Sequence, residues 1–475
     1  MASRARAGDT TGEIAASTTN GRRARAPATA RPGLPPGPPL PRFVQAAIWA
    51  LRPLALMDRC AERYGEIFTL RVRRRPWVLL SDPQHVKQVF TTDTSLLRAG
   101  AGDANPLLGP LLGPRSVMLL DEPQHMGDRK RLLPSFHGQR MKDYGAMMDD
   151  VAHEQIARWP IDEPFELWPR MQAISLEVVM RSVFAGIDER RGAMLRERLV
   201  NMTNWINKPR RLALLAAFGS RSITASGEFA EVMGQVESIV LEEVRERRAR
   251  TPPGDGDRDD GNGDDIFWML ERSHIAGGEP ASEGKMRDEL VTMLSDGPTA
   301  TSLAWVFERL LRHPEKLERL REDVLGGEDE YLDAVVKETL RLCPAVPLVM
   351  RRLIEPMQIG GYTLPPDTIV APCVHLMHRR ADVYPDPLSF RPERFLEDAA
   401  GTYTWIPFGG GVRRCVAASF AQLEMKRVIA AVLGELQLRP AQARSEGVAR
   451  SSVSFAPAGG ARVVATRRPP EAVAA

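Results

Sequence analysis

Residues 408–415 read Phe-Gly-Gly-Gly-Val-Arg-Arg-Cys, and a helical pattern follows them from Val416 to Leu436. Three consecutive glycines let the backbone turn tightly and come close to a bound group. The turn delivers Cys415 to the start of a helix, where backbone N–H groups stabilise a negative charge on sulfur. For a cysteine taken alone, an ordinary buried thiol is the more frequent case, and only the whole octapeptide reverses that expectation. The segment therefore predicts a cysteine thiolate at a helix N-terminus.

A thiolate in this setting suits the axial position of a haem iron. A thiolate ligand pushes electron density onto the iron and favours cleavage of the O–O bond. The glycines, Gly411 among them, let the backbone approach the porphyrin face, and Phe408 can cover the sulfur and exclude water. Arg413 can donate a charge-assisted hydrogen bond to a haem propionate. The octapeptide thus predicts a haem site with Cys415 as its metal ligand.

These residues resemble the signature of the cytochrome P450 superfamily, the haem-thiolate monooxygenases, in its soluble bacterial type. The pattern Phe-x-x-Gly-x-Arg-x-Cys-x-Gly is matched at Phe408, Gly411, Arg413 and Cys415, with Ala417 in place of the last glycine. The resemblance runs from about residue 34 to the C-terminus. It implies a mainly α fold with small β-sheets (α+β), and haem b (iron protoporphyrin IX) between a distal helix and the proximal Cys415 loop.

Hydrophobic periodicity gives the same coarse picture. Residues 67–80 alternate apolar and polar side chains around a basic turn and predict a β-hairpin. Residues 141–159 and 226–250 repeat apolar residues at helical spacing. Short strands are predicted within 357–365 and 368–374. The polar Gly/Asp/Pro stretch from Thr251 to Asp265 is predicted to be a loop that connects two helices and not a domain boundary.

Two charged segments, Lys337–Arg341 and Phe390–Phe395, extend the resemblance. Glu338 and Arg341 lie three residues apart and share a helix face. The resemblance implies that Arg394 joins them in a buried structural triad behind the haem. Buried charges must be paired, so the triad would form one rigid unit. A Glu/Arg pair of this spacing is usually a surface ion pair, and the order of the motifs along the chain makes this one specific.

Further cations match the family's propionate ligands. His125 and Arg129 have the His-x-x-x-Arg spacing of a family helix, and Arg351 precedes the strand pattern from Met357. Propionates are anions beside an apolar macrocycle, so several cationic donors around them are expected. The resemblance implies that these residues bind the propionates together with Arg413. Taken in isolation, His-x-x-x-Arg would be assigned to a surface helix.

The distal helix departs from the family. The family reads Ala-Gly-x-(Asp/Glu)-Thr, whose acid and alcohol deliver protons during dioxygen activation. When Leu303-Ala304-Trp305 and the His-Pro that follows are aligned with the family, Gly297 falls at the position of the acid and Pro298 at the position of the alcohol. A register shifted by two residues would put Asp296-Gly297 on Ala-Gly but loses the downstream match. In the preferred register Pro298 is predicted to kink the helix, because proline lacks the N–H that bonds the preceding turn.

Neither Gly297 nor Pro298 can transfer a proton. Proton delivery is therefore assigned to Thr299 or Asp296, with Ser295, a water chain or the substrate itself as alternatives. The missing acid and alcohol are the one sequence feature in favour of a different haem-thiolate reaction: a rearrangement, a dehydration, an oxidative coupling or a peroxide-driven oxidation. A non-catalytic haem sensor is a third reading, and no signalling domain supports it.

The segments expected over the distal pocket are apolar and predict a lipophilic substrate, such as a terpenoid, steroid, fatty acid or polyketide-like molecule. They are Leu107, Leu108, Leu111, Leu112, Trp205, Leu214, Leu215, Phe218, Val346, Leu348, Val349 and Phe455. Because the sequence has no flavin motif and no iron–sulfur cysteines, electrons are expected from NAD(P)H through an external ferredoxin and ferredoxin reductase. A basic surface could dock the ferredoxin; it comprises Arg129, Lys130, Arg131, Arg414, Lys426 and Arg427.

The overall composition excludes several other classes. The chain has 475 residues, 43% apolar and 26% charged, with a formal net charge of +3. That excess is too small for nucleic-acid binding through overall charge. The four cysteines are far apart with no CxxC pair, which excludes a disulfide scaffold, a four-cysteine zinc site and an in-chain iron–sulfur cluster. A reducing compartment, the cytoplasm, is the natural interpretation.

The N-terminal region is expected to be a tail followed by one domain. Residues 1–33 carry six arginines without the apolar core of a signal peptide and are predicted to form a disordered basic tail. Residues 34–475 are predicted to form a single domain. The apolar stretch from Phe43 to Met57 is broken by Arg52-Pro53 and is too short to span a membrane. We expect it to lie on the protein's own surface, with peripheral membrane contact as the alternative.

Overall fold

The computed structural model describes residues 31–100, 108–208, 211, 224, 226–250, 265–295, 297–399, 401–451 and 454–468. Asp296 lies outside these ranges, as do four residues of the predicted pocket set: Leu107, Leu214, Leu215 and Phe218. Of the predicted tail, residues 31–33 are described, and Arg31–Pro32 already pair with a strand of the domain. Regular structure therefore begins slightly before the boundary that the sequence predicts.

Helices make up most of the described chain, as the sequence predicts. They are α1 (Arg42–Leu51), α2 (Pro53–Tyr64), α3 (Pro83–Thr91), α4 (Leu108–Leu112), α5 (Gln124–Leu132), α6 (Arg140–Ile156), α7 (Leu167–Val183), α8 (Glu189–Ile206), α9 (Gly227–Ala249), α10 (Ile266–Ala276), α11 (Glu283–Leu294), α12 (Pro298–Leu311), α13 (Pro314–Leu325), α14 (Glu330–Leu342), α15 (Val374–Met377), α16 (Arg394–Glu397) and α17 (Ala418–Glu435). Single 3₁₀ turns cover Leu133–Phe136 and Gly411–Arg413.

The strands are short and form small sheets. They are β1 (Arg31–Pro32), β2 (Ile67–Leu70), β3 (Trp77–Leu80), β4 (Leu97–Arg98), β5 (Pro164–Glu166), β6 (Arg351–Leu353), β7 (Met357–Ile359), β8 (Tyr362–Leu364), β9 (Ile369–Pro372), β10 (Leu436–Pro440), β11 (Val448–Ser451), β12 (Ser454–Pro457) and β13 (Arg462–Arg467). The largest sheet has the order β2-β3-β9-β6-β4, and the others are β1-β8-β7, β10-β13-β5 and β11-β12. This mainly α architecture with small sheets confirms the predicted fold class.

The predicted hairpin and surface helices are confirmed at the N-terminal end. Strands β2 and β3 are antiparallel, with Leu70 opposite Trp77 across the arginine-rich turn. The apolar stretch before them is divided into α1 and α2, because Pro53 occupies the first position of α2, where its missing N–H costs nothing. The Trp49 ring meets the Trp77 ring edge-on at 5.2 Å, which packs α1 against β3. None of the described helices is both long and apolar enough to cross a membrane.

The core is centred on α12. Its residues Thr299–Glu308 are all buried, and it contacts α7, α14, α17 and β12. A helix that is buried on every side lies inside the protein, surrounded by other elements. The predicted kink before this helix is a complete break: α11 ends at Leu294 and α12 begins at Pro298. Pro298 is tolerated because it begins a new helix and does not interrupt one.

Candidate active site

The loop before Cys415 is held tightly against α3. Gly411 has a φ of +66°, and a Cβ there would lie 2.3 Å from the carbonyl oxygen of Phe90. A Cβ on Gly410 would lie 2.3 Å from the Phe90 ring. The Cys415 N–H donates a hydrogen bond of 3.0 Å to the Phe408 oxygen and closes the loop. The glycines are thus required for contact with Phe90, which the sequence analysis did not single out because it looks like any apolar helix residue.

The helix after the loop begins later than expected. Ala417 is the N-cap of α17, which starts at Ala418, and a 3₁₀ turn covers Gly411–Arg413. Cys415 therefore precedes the helix instead of opening it. The sequence pattern misplaces the boundary because Val416 and Ala417 continue the apolar spacing without adopting helical backbone.

The four cysteines differ in accessibility. Cys415 is exposed, Cys343 is half-buried, and Cys60 and Cys373 are buried. Burial raises the pKa of Cys60 to about 11 and that of Cys373 to about 12, and it also raises the pKa of Cys343. These three side chains are neutral thiols at neutral pH and are poor metal ligands. Cys415 alone combines access with a glycine loop.

A cation lies beside the Cys415 loop. Arg129, on α5, donates a 2.6 Å hydrogen bond from Nη1 to the Arg414 oxygen. Burial lowers the pKa of Arg129, while the negative charge of a Cys415 thiolate raises it. The thiolate and the guanidinium are therefore close enough to stabilise each other.

The four predicted propionate ligands form one cluster of three arginines and His125, whose lowered pKa makes it neutral at neutral pH. Burial, followed by the charge of Arg413, lowers the pKa of Arg351 to about 10. The same two causes, in the same order, lower the pKa of His125, whose Nδ1 lies 2.7 Å from a Glu122 oxygen. Burial also lowers the pKa of Arg413, and the charge of Arg129 lowers it further. Asp121 Oδ1 lies 3.6 Å from Arg413 Nη2 and balances part of this positive charge, and a propionate would balance the rest.

The residues present fit haem b. The Nε atom of Arg413 is buried without a hydrogen-bond partner among the described residues, as expected of a donor that is aimed at a propionate. The accessible sulfur of Cys415 suits the iron, and the cations suit the two carboxylates. No group of His, Cys, Asp and Glu that could hold a bare metal ion is found within the described ranges.

The distal residues lie at the break between α11 and α12. Thr299 is 8% exposed and occupies the second position of α12. Two residues further along, the hydroxyl of Thr301 already has a hydrogen-bond partner, because the Trp168 indole nitrogen donates to Thr301 Oγ1 at 3.4 Å. Because Asp296 is outside the described residues, the structure places only one of the two predicted proton donors.

The predicted charged triad comes together. Arg341 and Glu338 are fully buried and joined by two hydrogen bonds, of 2.6 Å from Nε and 2.8 Å from Nη2. Arg394 Nε lies 3.2 Å from Glu338 Oε1, which also accepts the backbone N–H of Arg391 at 2.8 Å. Arg341 further donates to three backbone oxygens, including that of His378 at 2.6 Å. Every oxygen of the buried carboxylate is satisfied, as a buried ion pair requires.

His378 connects the triad to the Cys415 loop. Its Nε2 accepts the N–H of Ile406 at 2.9 Å, and Ile406 lies two residues before Phe408. Its Nδ1 lies 3.1 Å from the Arg341 oxygen and donates to it. Burial lowers the pKa of His378 well below its ordinary value, so the ring is neutral. Sequence reasoning missed His378, because it follows an ordinary strand pattern with no motif around it.

The basic surface is more neutralised than the sequence suggests. Arg131 pairs with Asp128 at 3.0 Å, Lys426 with Asp329 at 2.8 Å, and Arg427 with Asp149 at 3.1 Å. Lys130 and Arg414 are exposed. Asp128 lies on the same helix as Arg131, whereas Asp329 and Asp149 are distant along the chain from Lys426 and Arg427.

The described members of the apolar pocket set fall into two groups. Leu111, Leu112, Trp205 and Phe455 are buried. Leu108, Val346, Leu348 and Val349 are half-buried. Strand β12, which carries Phe455, is fixed to the core helix by a 2.8 Å hydrogen bond from the Trp305 indole to the Phe455 oxygen.

A thiol in a tight glycine loop, beside a cluster of buried cations, defines a haem-thiolate protein. The family model of cytochrome P450 matches residues 34–456. The putative cytochrome P450 135B1 of Mycobacterium tuberculosis (strain H37Rv) is 36% identical over 452 residues, which is 92% of each chain. The chain belongs to the cytochrome P450 family, whose members are oxidoreductases that bind haem through a cysteine thiolate.

A second relative belongs to the same family, and a solved structure has the same fold. The putative cytochrome P450 137 of the same organism is 34% identical over 448 residues, or 91% of each chain. Among solved structures, the retinoic acid bound cyanobacterial CYP120A1 superposes with a TM-score of 0.79 at 20% identity. The match covers 92% of this chain and 100% of that one, and at this identity it shows the fold alone.

Proposed function

We propose that this protein is a monooxygenase that inserts one oxygen atom from dioxygen into a lipophilic small molecule, a terpenoid, steroid, fatty acid or polyketide-like compound. Electrons come from NAD(P)H through an external ferredoxin and ferredoxin reductase, in the cytoplasm. The observation that carries the proposal is Cys415: it is exposed at the end of a closed glycine loop, with the Arg129 guanidinium close to it.

The chain's own residues hold the haem in this proposal. Cys415 binds the iron, and His125, Arg129, Arg351 and Arg413 bind the propionates. When bound, the haem supplies the activation of dioxygen. Phe90 and the glycines fix the loop so that the sulfur keeps its position. The triad behind the loop is structural, since it is buried and satisfied internally.

Proton delivery is assigned to Thr299, with Asp296 as the second candidate. Thr299 is the buried hydroxyl nearest along the chain to the helix break, beside the positions where the family has its acid and alcohol. If Asp296 holds that role, Asp296→Ala will lower the product yield and release hydrogen peroxide. Thr299→Ala will then remain coupled, which means that its electrons still form product. Unchanged coupling in both variants assigns the proton to a water chain or to the substrate.

A second candidate function keeps the haem thiolate and changes the reaction to a rearrangement, dehydration, oxidative coupling or peroxide-driven oxidation. Gly297 and Pro298 at the usual acid and alcohol positions favour it, since neither can move a proton. Turnover of a lipophilic library with a ferredoxin system under labelled dioxygen separates the two, because only the monooxygenase leaves one oxygen atom from dioxygen in its product. Spectral binding without any turnover would instead indicate a haem sensor.

The ligand assignment is tested by replacing cysteines one at a time. Cys415→Ser is expected to abolish the thiolate-type Soret band of the reduced, carbon-monoxide-bound protein. Cys343→Ser and Cys373→Ser serve as matched controls and should retain the band, because their thiols are held neutral by burial. A band that survives in Cys415→Ser, or is lost in either control, refutes the assignment.

A further inference from the structure

The turn that follows α4 is fastened to α11 by three side chains of that helix. Asp288, which is 2% exposed, accepts the Arg115 N–H through Oδ2 at 2.9 Å. Lys285 donates from Nζ to the Arg115 oxygen at 2.7 Å, so both backbone polar groups of Arg115 are bound to α11. Thr292 donates from Oγ1 to Ser116 Oγ at 2.7 Å. Since the three side chains follow one another at steps of three and four residues, they form one stripe along the helix.

The Asp288 carboxylate uses one oxygen for the turn and the other for an ion pair. Arg287 Nη1 lies 2.5 Å from Asp288 Oδ1, and Arg287 is paired a second time with Glu237 at 3.0 Å. Gly113, which begins the turn, has a φ of +82°, and a Cβ on it would lie 2.1 Å from Asp288 Oδ1. The turn is therefore in direct contact with the carboxylate, and removal of the carboxylate still leaves Arg287 with an acidic partner.

The fastened turn determines where the end of α4 lies. Leu111 and Leu112, the last residues of α4, belong to the same apolar cluster as Leu294 and Ala300. Leu294 ends α11 and Ala300 lies in the first turn of α12, so this cluster surrounds the break between the two helices. The turn follows Leu112 directly along the chain. The position of the α4 leucines beside the break therefore depends on the polar stripe of α11.

A pocket wall that is held in place costs a ligand less than a wall that must be ordered when the ligand binds. We propose that Asp288 is a positioning residue for the substrate. Through its bond to the Arg115 N–H it keeps the α4 leucines ordered, and so it determines how tightly a bulky apolar molecule binds beside the helix break. This inference rests on the proposed function and adds to it a specificity-determining residue that does not itself contact the substrate.

The test compares two azoles that bind a haem iron from its distal side. Imidazole is too small to need the α4 wall, whereas clotrimazole is bulky and apolar. Each is titrated into the holoprotein, and binding is followed by the shift of the Soret band. Asp288→Ala should weaken clotrimazole binding by about tenfold, since a hydrogen bond to a charged group contributes about that factor, and should leave imidazole binding unchanged. Asp288→Asn retains an acceptor for the Arg115 N–H and should restore most of the clotrimazole affinity.

Two further variants separate positioning from folding. Ser116→Ala removes the Thr292 bond from the turn itself and should weaken clotrimazole binding in the same direction. Glu283→Ala is the matched control on α11, because Glu283 pairs at the surface with Arg245 and should leave both affinities unchanged. Clotrimazole binding that is unchanged or tighter in Asp288→Ala and Ser116→Ala, an equal loss for both azoles, or an Asn variant no better than Ala overturns the inference. Absence of a thiolate-type Soret band in the wild type would overturn the proposed function instead.

Discussion

Removal of the Glu338 carboxylate should destabilise the whole fold. In Glu338→Ala, the fully buried Arg341 loses two hydrogen bonds and its counter-charge, and Arg394 loses its 3.2 Å contact. Breaking a buried pair by deleting one partner costs about 3–5 kcal/mol. Natural domains have about 5–15 kcal/mol of stability, so about a fifth or more of it would be lost. The expected result is little soluble holoprotein and a urea midpoint well below that of the wild type.

A matched control uses an exposed glutamate of the same region. Glu397 pairs with Arg391, and the two side chains are 53% and 42% exposed. Such a surface pair contributes at most about 1 kcal/mol, so Glu397→Ala should unfold close to the wild type. Urea unfolding monitored by fluorescence gives both free energies, and haem content is measured in parallel. If Glu338→Ala folds with normal stability and haem content but lacks activity, the residue is catalytic and the structural reasoning is wrong.

Three further outcomes are expected. Thr299→Ala should keep its haem content and substrate binding while product formation falls by about 10²–10⁴ and electrons appear as hydrogen peroxide; fully coupled turnover would contradict this role. Gly411→Ala should lower haem retention, because a side chain at its φ of +66° costs about 1–2 kcal/mol and its Cβ would meet Phe90. Gly434→Ala is the matched control. Gly434 has open space around it in α17, so this variant should retain haem, and an equal loss of haem in both variants would contradict the prediction. His378 is buried neutral, so below about pH 6.5 the unfolded chain binds a proton that the folded chain does not, and stability should fall with pH by about 1.4 kcal/mol per unit. His378→Gln keeps an acceptor for the Ile406 N–H and should remove that share of the slope measured by urea unfolding between pH 6 and 5; an unchanged slope would contradict it.

The sequence predicted those parts of the fold in which local pattern and environment agree. The alternation in residues 67–80 predicts the hairpin because both of its strands are short and are joined by a basic turn. The Glu338–Arg341 pair was predictable because three-residue spacing on a helix fixes a shared face. The Pro298 discontinuity was predictable from covalent geometry, although proline alone does not decide between a kink and a complete break.

Features that depend on contacts between distant segments escaped the sequence. Phe90 restricts Gly410 and Gly411 from more than 300 positions away, and no local pattern encodes that approach. The acidic partners of Lys426 and Arg427 lie on other helices, so the predicted basic surface looked more charged than it is. Such pairings are decided by how helices pack, which a single sequence leaves open.

The link from the triad through His378 to Ile406 makes cofactor occupancy and folding thermodynamically dependent on one another. A ligand that binds only the folded chain stabilises it in proportion to the logarithm of its concentration. Haem supplied in excess during expression should therefore rescue variants that weaken the triad more effectively than it rescues equally destabilising variants far from the Cys415 loop. The supply of haem, as much as the sequence, then decides how much damage this part of the molecule can tolerate.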